Sequence, residues 1–314
     1  MTEPRSLADD PEGFRALCER APELGYSAAV AEKDYWATRV LRAAVATGAE
    51  LVFKGGTSLS KAYGIIERFS EDIDLIVVVD SGMGSNARKR FLRGIADASA
   101  DATGLSWARE AEGTGFCNAR LTYDTPYSVT PPLTSGVLLE MGTRGGPEPA
   151  EVRSIKPLLA DAAEFVEPGS SAEYPDLGSF DVTTLHPART LAEKLAFLHH
   201  RASQGDLEAL ERGARHLYDV AMVLRHGPMV EALSTTQRVS DLMADIDGRS
   251  DAAGWGYTTR PADGFASSPA FAQADDVSNA LRRGYELVVR DLVWGDAPKF
   301  DDVLATVEAS RQLI

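Results

Sequence analysis

The apolar positions of this chain fall into two regimes. In the first half, short apolar runs separate longer periodic stretches; beyond residue 178 the spacing is helical almost to the end. Residues 11–46 read as helical, followed by a strand at 51–54, a helix over 58–66 capped by Thr57-Ser58, and a strand at 73–79. A helix over about 86–100, strands near 116–123 and 137–143, and one more strand at 152–157 complete this half, with a glycine-rich turn at 142–147. Residues 169–178 form a connector of small residues and proline. After it, helices are predicted over 188–201, 207–224, 229–243, 277–293 and 302–313. A long loop over 247–273 carries Trp255, Tyr257 and Phe265. The expected architecture is α+β: residues 1–168 form a domain built on a mixed sheet with N-terminal helices, and residues 169–314 a helical domain.

Composition narrows the class. A chain of 314 residues, 44% hydrophobic and 25% charged, is globular and long enough for two cores. No apolar run approaches the roughly eighteen residues of a membrane span, and no charged leader with an apolar core is present, so a cytoplasmic protein with no membrane partner is expected. Two cysteines, Cys18 and Cys117, make neither a disulfide framework nor a metal knuckle. His199 and His200 are adjacent on a helix and point apart, which is no zinc geometry.

A net charge of −15 and a pI near 4.8 argue against broad nucleic-acid binding, which needs Lys and Arg to neutralise phosphates. Local charge can override this. Arg88, Lys89, Arg90 and Arg93 follow the second strand, and Arg189, Lys194, Arg201, Arg212 and Arg215 fall in two helical stretches. These either gather into a basic strip or are solvated helix-face charges. Asp241, Asp245, Asp247, Asp251, Asp275, Asp276, Asp301 and Asp302 make the last part acidic.

The chemistry concentrates in residues 54–75, KGGTSLSKAYGIIERFSEDIDL. A strand ends at Gly55-Gly56, two hydroxyls open a helix whose first N–H groups would attract phosphate, and Lys61 follows one turn on. Asp72 and Asp74 begin the next apolar strand with their side chains on one side, because strand periodicity is two. Paired carboxylates are hard ligands suited to Mg²⁺ (or Mn²⁺) and substrate phosphates. A lone Asp-x-Asp is usually an ordinary turn; the glycine turn and hydroxyls upstream distinguish this one. Neither a P-loop nor a G-x-G-x-x-G register fits. Glu140 interrupts the apolar run of 137–142 and is the candidate third carboxylate, with an exposed strand-end glutamate as the alternative.

These residues carry a family resemblance. Residues 54–75, preceded by Glu32-Lys33-Asp34-Tyr35-Trp36, are followed by the HPARTLAEKL stretch from His186 to Leu195 and by Arg215-His216-Leu217-Tyr218-Asp219-Val220. Together they resemble the AbiEii/AbiGii family of nucleotidyltransferase toxins, of the DNA polymerase β-like superfamily, over about residues 30–224. The resemblance implies a metal held by Asp72 and Asp74, and an NTP held by Gly55, Gly56, Thr57 and Ser58 with Lys61 and Arg68. Lys194 and Asp219 complete the catalytic set, although on residue pattern alone Lys194 reads as a snorkelling lysine and Asp219 as a solvated one. Asp74 or Glu140 is the candidate general base. Ser70 matches a position where phosphorylation silences family members. The resemblance also implies transfer of NMP to the 3′ end of tRNA, blocking translation and growth, and a cognate antitoxin of winged-helix repressor or kinase type. A protein or small-molecule acceptor such as an antibiotic, and an inactive nucleotide-binding module, are the competing readings. The 32–36 segment is either functional or a structural helix face with i, i+4 apolar contacts.

Overall fold

The computed structural model describes residues 6–128, 133–252, 254, 256–272 and 276–314. Trp255, Gln273 and Asp275 lie outside the described residues. Two compact units emerge: the first takes the chain up to Ala62, then Phe69–Thr143 and Glu151–Thr184; the second takes Tyr63–Arg68, Arg144–Ala150 and the chain from Leu185 on.

In chain order the elements before residue 186 are α1 (Pro11–Arg20), α2 (Ala28–Ala46), β1 (Leu51–Lys54), α3 (Gly55–Lys61), β2 (Ile73–Val77), α4 (Ser85–Thr103), β3 (Ser106–Glu112), β4 (Phe116–Thr122), β5 (Val137–Gly142), β6 (Ala150–Ile155), α5 (Leu158–Val166) and β7 (Phe180–Leu185). The seven strands form one mixed sheet in the order β3-β4-β5-β2-β1-β7-β6. β1 pairs antiparallel with β2 and parallel with β7; β2 pairs parallel with β5, and β5 antiparallel with β4. In β5, Val137, Leu139 and Met141 are buried while Leu138, Glu140 and Gly142 are half-buried, the alternation expected of a sheet with one face in the core.

The rest is helical: α6 (Pro187–Ser203), α7 (Leu207–Arg212), α8 (Arg215–Arg225), α9 (Gly227–Thr235), α10 (Val239–Ala252), α11 (Asp276–Asp291) and α12 (Phe300–Ala309). α8 packs on α6 and α12, and α11 on α7. Its apolar stripe, Leu217, Val220, Ala221 and Leu224, is buried, which is the i, i+3, i+4, i+7 spacing of a core-facing helix.

Several elements depart from the sequence expectation. α3 starts at Gly55, with extended Lys54 as its N-cap, and ends at Lys61. Thr57 and Ser58 are therefore inside the helix, and their hydroxyls bond to carbonyls instead of capping it. Gly64, at φ 62°, lies in the segment expected to continue that helix. The single helix expected over 207–224 is two, broken at Gly213, where a Cβ would collide with Phe197 and the Ala209 carbonyl. The 229–243 helix is likewise two, and α10 runs six residues into the expected loop, from Asp247 to Ala252. The remainder of that loop is tied down: Phe265 is buried, His199 Nδ1 lies 2.9 Å from Ser268 Oγ, and Thr258 N donates to His200 Nδ1 at 3.1 Å. β3 and β7 have no counterpart in the expected element list.

α2 is the hub of the first unit, and the 32–36 segment shows why. Each side chain ties the helix to a different element. Glu32 accepts from Thr125, Lys33 donates to Glu71 and to Thr134, Asp34 pairs with Lys61, and Tyr35 donates to Asp176. Trp36 stacks on Tyr123 with centroids 5.4 Å apart.

Candidate active site

The register of the sheet lines up four polar residues on one row. Lys54 of β1 lies opposite Asp74 of β2, Asp74 opposite Glu140 of β5, and Glu140 opposite Asn118 of β4. Directly paired residues project to the same face, so one row presents Lys-Asp-Glu-Asn in sequence across four strands. Asp72, Asp74 and Glu140 are all half-buried, whereas the flanking Ile73, Leu75, Leu139 and Met141 of the opposite face are buried. Asn118 Nδ2 donates to Glu140 Oε1 at 2.7 Å, which fixes the orientation of that carboxylate.

The glycine turn serves this row sterically. Gly55 has φ 83°, and a Cβ there would overlap Asp74 Oδ2 and come within 3.1 Å of Asp74 Cγ. Only glycine leaves room for the aspartate beside the backbone and accepts the left-handed φ. Thr57 Oγ1 donates to the Asp72 carbonyl at 2.6 Å and lies 3.2 Å from that of Ser70, so the hydroxyl anchors the backbone that leads into the carboxylates. Ser58, fully buried, donates to the Gly55 carbonyl at 2.9 Å. Of the residues expected on the triphosphate, Lys61 is placed on Asp34, Nζ to Oδ1 2.5 Å, and Asp34 Oδ2 accepts from Leu158 N at 2.7 Å. Ser70 is half-buried, two positions before Asp72.

The second unit holds a separate buried cluster. Arg68 grips Asp219 with two bonds, Nε to Oδ1 2.6 Å and a terminal nitrogen to Oδ2 2.7 Å, and Lys194 Nζ is 2.8 Å from Oδ2. Asp219 is wholly buried and Arg68 and Lys194 nearly so. Burial alone would raise the Asp219 pKa, but the adjacent charges of Arg68 and Lys194, with their hydrogen bonds, outweigh it and hold the carboxyl well below the usual range. His216 Nδ1 lies 3.2 Å from Lys194 Nζ. Burial and then the Lys194 charge push this imidazole well below its ordinary pKa, so it is neutral and accepts from the ammonium. The arrangement leaves Asp219 as a carboxylate between two cations, and the helix α8 that carries it stays aligned with α6. Arg68, expected on the nucleotide, is placed here. The pairing of Arg68 with Asp219 across 151 positions has no sequence signal beyond the presence of both residues.

The basic residues outside these groups are largely neutralised in place. Lys89 and Arg93 pair with Glu112, Arg189 with Asp245 at 2.6 Å, Arg201 with Asp206 at 3.0 Å, and Arg212 with Glu208. Among the described residues no three His, Cys, Asp or Glu side chains converge as a metal-holding group, and no helix is long and apolar enough to cross a membrane.

Comparison with known proteins names the class. Residues 39–306 match the family of nucleotidyl transferase AbiEii toxins of type IV toxin–antitoxin systems, and the chain belongs to that family. The match extends well past residue 224 and takes in α9 to α11 and most of α12. Similar solved structures include JHP933 from Helicobacter pylori, at 15% identity and a TM-score of 0.44 over 88% of this chain and 89% of that one. Another is a nucleotidyltransferase from H. pylori, at 16% identity and 0.45 over 87% and 91%. MenT4, a nucleotidyltransferase toxin from Mycobacterium tuberculosis H37Rv, aligns at 20% identity and 0.41 over 95% of both chains. No curated protein matches the chain.

Proposed function

We propose that this toxin-family nucleotidyltransferase works in the cytoplasm and transfers an NMP from an NTP to the 3′ end of tRNA, with the Asp74–Glu140 row as its reaction centre. The observation that supports this is the parallel register that sets Asp74 beside Glu140 while the absence of a side chain at Gly55 leaves room for the Asp74 carboxylate. The donor set is all oxygen, and Mg²⁺ is commonly held by one or two carboxylates plus substrate phosphates. Asp72, Asp74 and Glu140 fit such an ion, or Mn²⁺, without a closed protein cage. When bound, the ion would neutralise the phosphate charge and polarise the α-phosphate.

The chain's own residues would do the rest. Gly55 and Gly56 leave the start of α3 free of side chains for the triphosphate, Ser58 braces that turn from beneath through the Gly55 carbonyl, and Thr57 holds the segment bearing Asp72 in place. The acceptor hydroxyl forms a bond to the α-phosphorus as the bond to pyrophosphate breaks, and Asp74 or Glu140 takes the hydroxyl proton. Lys194, Asp219 and Arg68 stay in this reading as catalytic and nucleotide-binding residues of the second unit, with Asp219 positioning both cations. A phosphate on Ser70 would add about two negative charges close in sequence to Asp72 and repel NTP, which suits control by an antitoxin.

The paired state of Lys89, Arg93, Arg189, Arg201 and Arg212, on a chain of net charge −15, favours a second reading in which the acceptor is a protein or small molecule. The test is incubation of purified protein with Mg²⁺ or Mn²⁺, each α-labelled NTP, total tRNA and a cell lysate cleared of RNA. Label in tRNA supports the first reading and names the base; label only in the RNA-free lysate moves the acceptor to the second.

A further inference from the structure

A cavity of about 380 Å³ opens in the first unit between α1, α2 and the segment after β4, and its lining shares no residue with the carboxylate row. Its walls include Phe14, Trp36 and Tyr127, and its charged groups are Glu12, Glu32, Asp124 and Arg15. Arg15 also faces Glu19, at 3.8 Å, so the cavity is net acidic.

Two members of the 32–36 segment in the wall lack what burial ordinarily demands, and the buried Tyr127 hydroxyl of the same wall has no hydrogen-bond partner among the described residues either. Glu32 is only 2% exposed, yet among the described residues its one hydrogen-bonding partner is the Thr125 hydroxyl and no cation pairs with it. Burial pushes its carboxyl up, with the Thr125 bond opposing. The Trp36 indole Nε1 is buried and finds no acceptor among the described residues. A buried carboxylate without a cation and a buried N–H without an acceptor are each costly. Every other member of the 32–36 segment apart from these two is matched within the fold.

We propose that this cavity is a docking site for an arginine residue in a peptide segment of a partner protein. The ligand must bring a cation to Glu32 and an acceptor to Trp36; an arginine residue carries a guanidinium and, at its own backbone, a carbonyl. The planar guanidinium is weakly hydrated, stacks on aromatic rings and offers several N–H donors to carboxylates, so it suits an aromatic cavity with Glu12 and Asp124 available beside Glu32. The protein already uses this pairing: the Arg39 guanidinium sits 5.2 Å from the Trp36 ring centroid. Phosphate-bearing ligands are disfavoured by the same carboxylates.

The test follows the Trp36 indole N–H by ¹⁵N NMR, assigned with Trp36→Phe, while the full-length protein is titrated with capped Gly-Arg-Gly, its neutral citrulline isostere, capped Gly-Lys-Gly and a nucleoside. The arginine peptide should shift the Trp36 signal and bind at least about tenfold more tightly than the citrulline peptide, and Glu32→Gln should remove about that factor. The exposed double variant Glu12→Gln/Asp124→Asn, which does not touch the buried wall, should weaken binding too and serves if Glu32→Gln misfolds. Equal affinity for arginine and citrulline, unchanged binding in the charge variants, preference for the nucleoside, or no shift at tens of millimolar peptide would each overturn the proposal.

Discussion

Gly55 and Asp74 are built against each other. The left-handed turn at Gly55 brings its Cα so close to the Asp74 carboxylate that a single added methyl group would occupy the position of Oδ2. The relationship explains why a glycine turn stands ahead of an Asp-x-Asp strand: the turn admits the side chain that the strand presents.

Gly55→Ala is therefore expected to disable the site more than it disturbs the fold. The positive φ costs an L-residue about 1–2 kcal/mol, and the aspartate must also move. Urea unfolding should show a loss of that order, while label transfer falls by about a hundredfold or more. Wild-type transfer in Gly55→Ala would show that the Asp74 rotamer is unimportant.

Asn118 orients Glu140 through one 2.7 Å hydrogen bond. Removing a group that orients a metal-binding carboxylate typically costs about 10–100-fold in activity or metal affinity. Asn118→Ala should lie in that range with little change in unfolding midpoint, read from transfer rate against Mg²⁺ concentration. An unaltered Mg²⁺ dependence would remove Glu140 from the metal set.

Asp219→Asn leaves Arg68 and Lys194 buried beside a neutral partner. Breaking a buried ion pair in this way costs about 3–5 kcal/mol, a large part of an ordinary domain's stability. The Asp219 carboxyl is held below its unfolded pKa of about 3.9, so its contribution is present above that value and disappears as pH falls towards the folded pKa. The variant should unfold early at neutral pH and lose part of the wild type's acid-side slope below about pH 4. Urea midpoints at several pH values check both parts; a midpoint within error of wild type would contradict them.

His216 acts in the other window. Its folded pKa is depressed by burial and the Lys194 charge, so unfolding takes up a proton once the pH drops below the ordinary value of about 6.5. Stability should then fall by up to about 1.4 kcal/mol per pH unit on this account. His216→Asn, which keeps an acceptor for Lys194, should flatten the decline between about pH 6 and 5. His199, lowered in the same direction by burial, leaves a residual slope. An unchanged slope would mean that His216 is protonated in the folded state.

Much of this arrangement is visible in the residue order and some of it is not. β1, β2 and β5 announce themselves as apolar runs and β4 as an apolar–polar alternation, because one of their faces, or both, is buried. β3, Ser-Trp-Ala-Arg-Glu-Ala-Glu, is an edge strand with mostly exposed residues, so it lacks the apolar alternation that marks a strand. The start of α3 was obscured by Thr57-Ser58, which look like caps but point their hydroxyls inward to carbonyls. Asp72, Asp74 and Glu140 were identifiable as candidates from their positions at or within apolar strands. Asn118 was not, since its role comes only from the β4–β5 register. Lys61 and Arg68 are implied as nucleotide-binding by the resemblance, but their partners Asp34 and Asp219 are 27 and 151 positions away, and long-range pairing leaves no local pattern.

The central claim is that the Asp74–Glu140 row performs nucleotidyl transfer. The most direct measurement compares wild type with Asp74→Asn, both shown to be folded by circular dichroism, in release of pyrophosphate from each α-labelled NTP with Mg²⁺ and total tRNA. The account predicts pyrophosphate release with stoichiometric labelling of an acceptor by the wild type, and at least about a thousandfold less in Asp74→Asn. Equal turnover in the two proteins would contradict it.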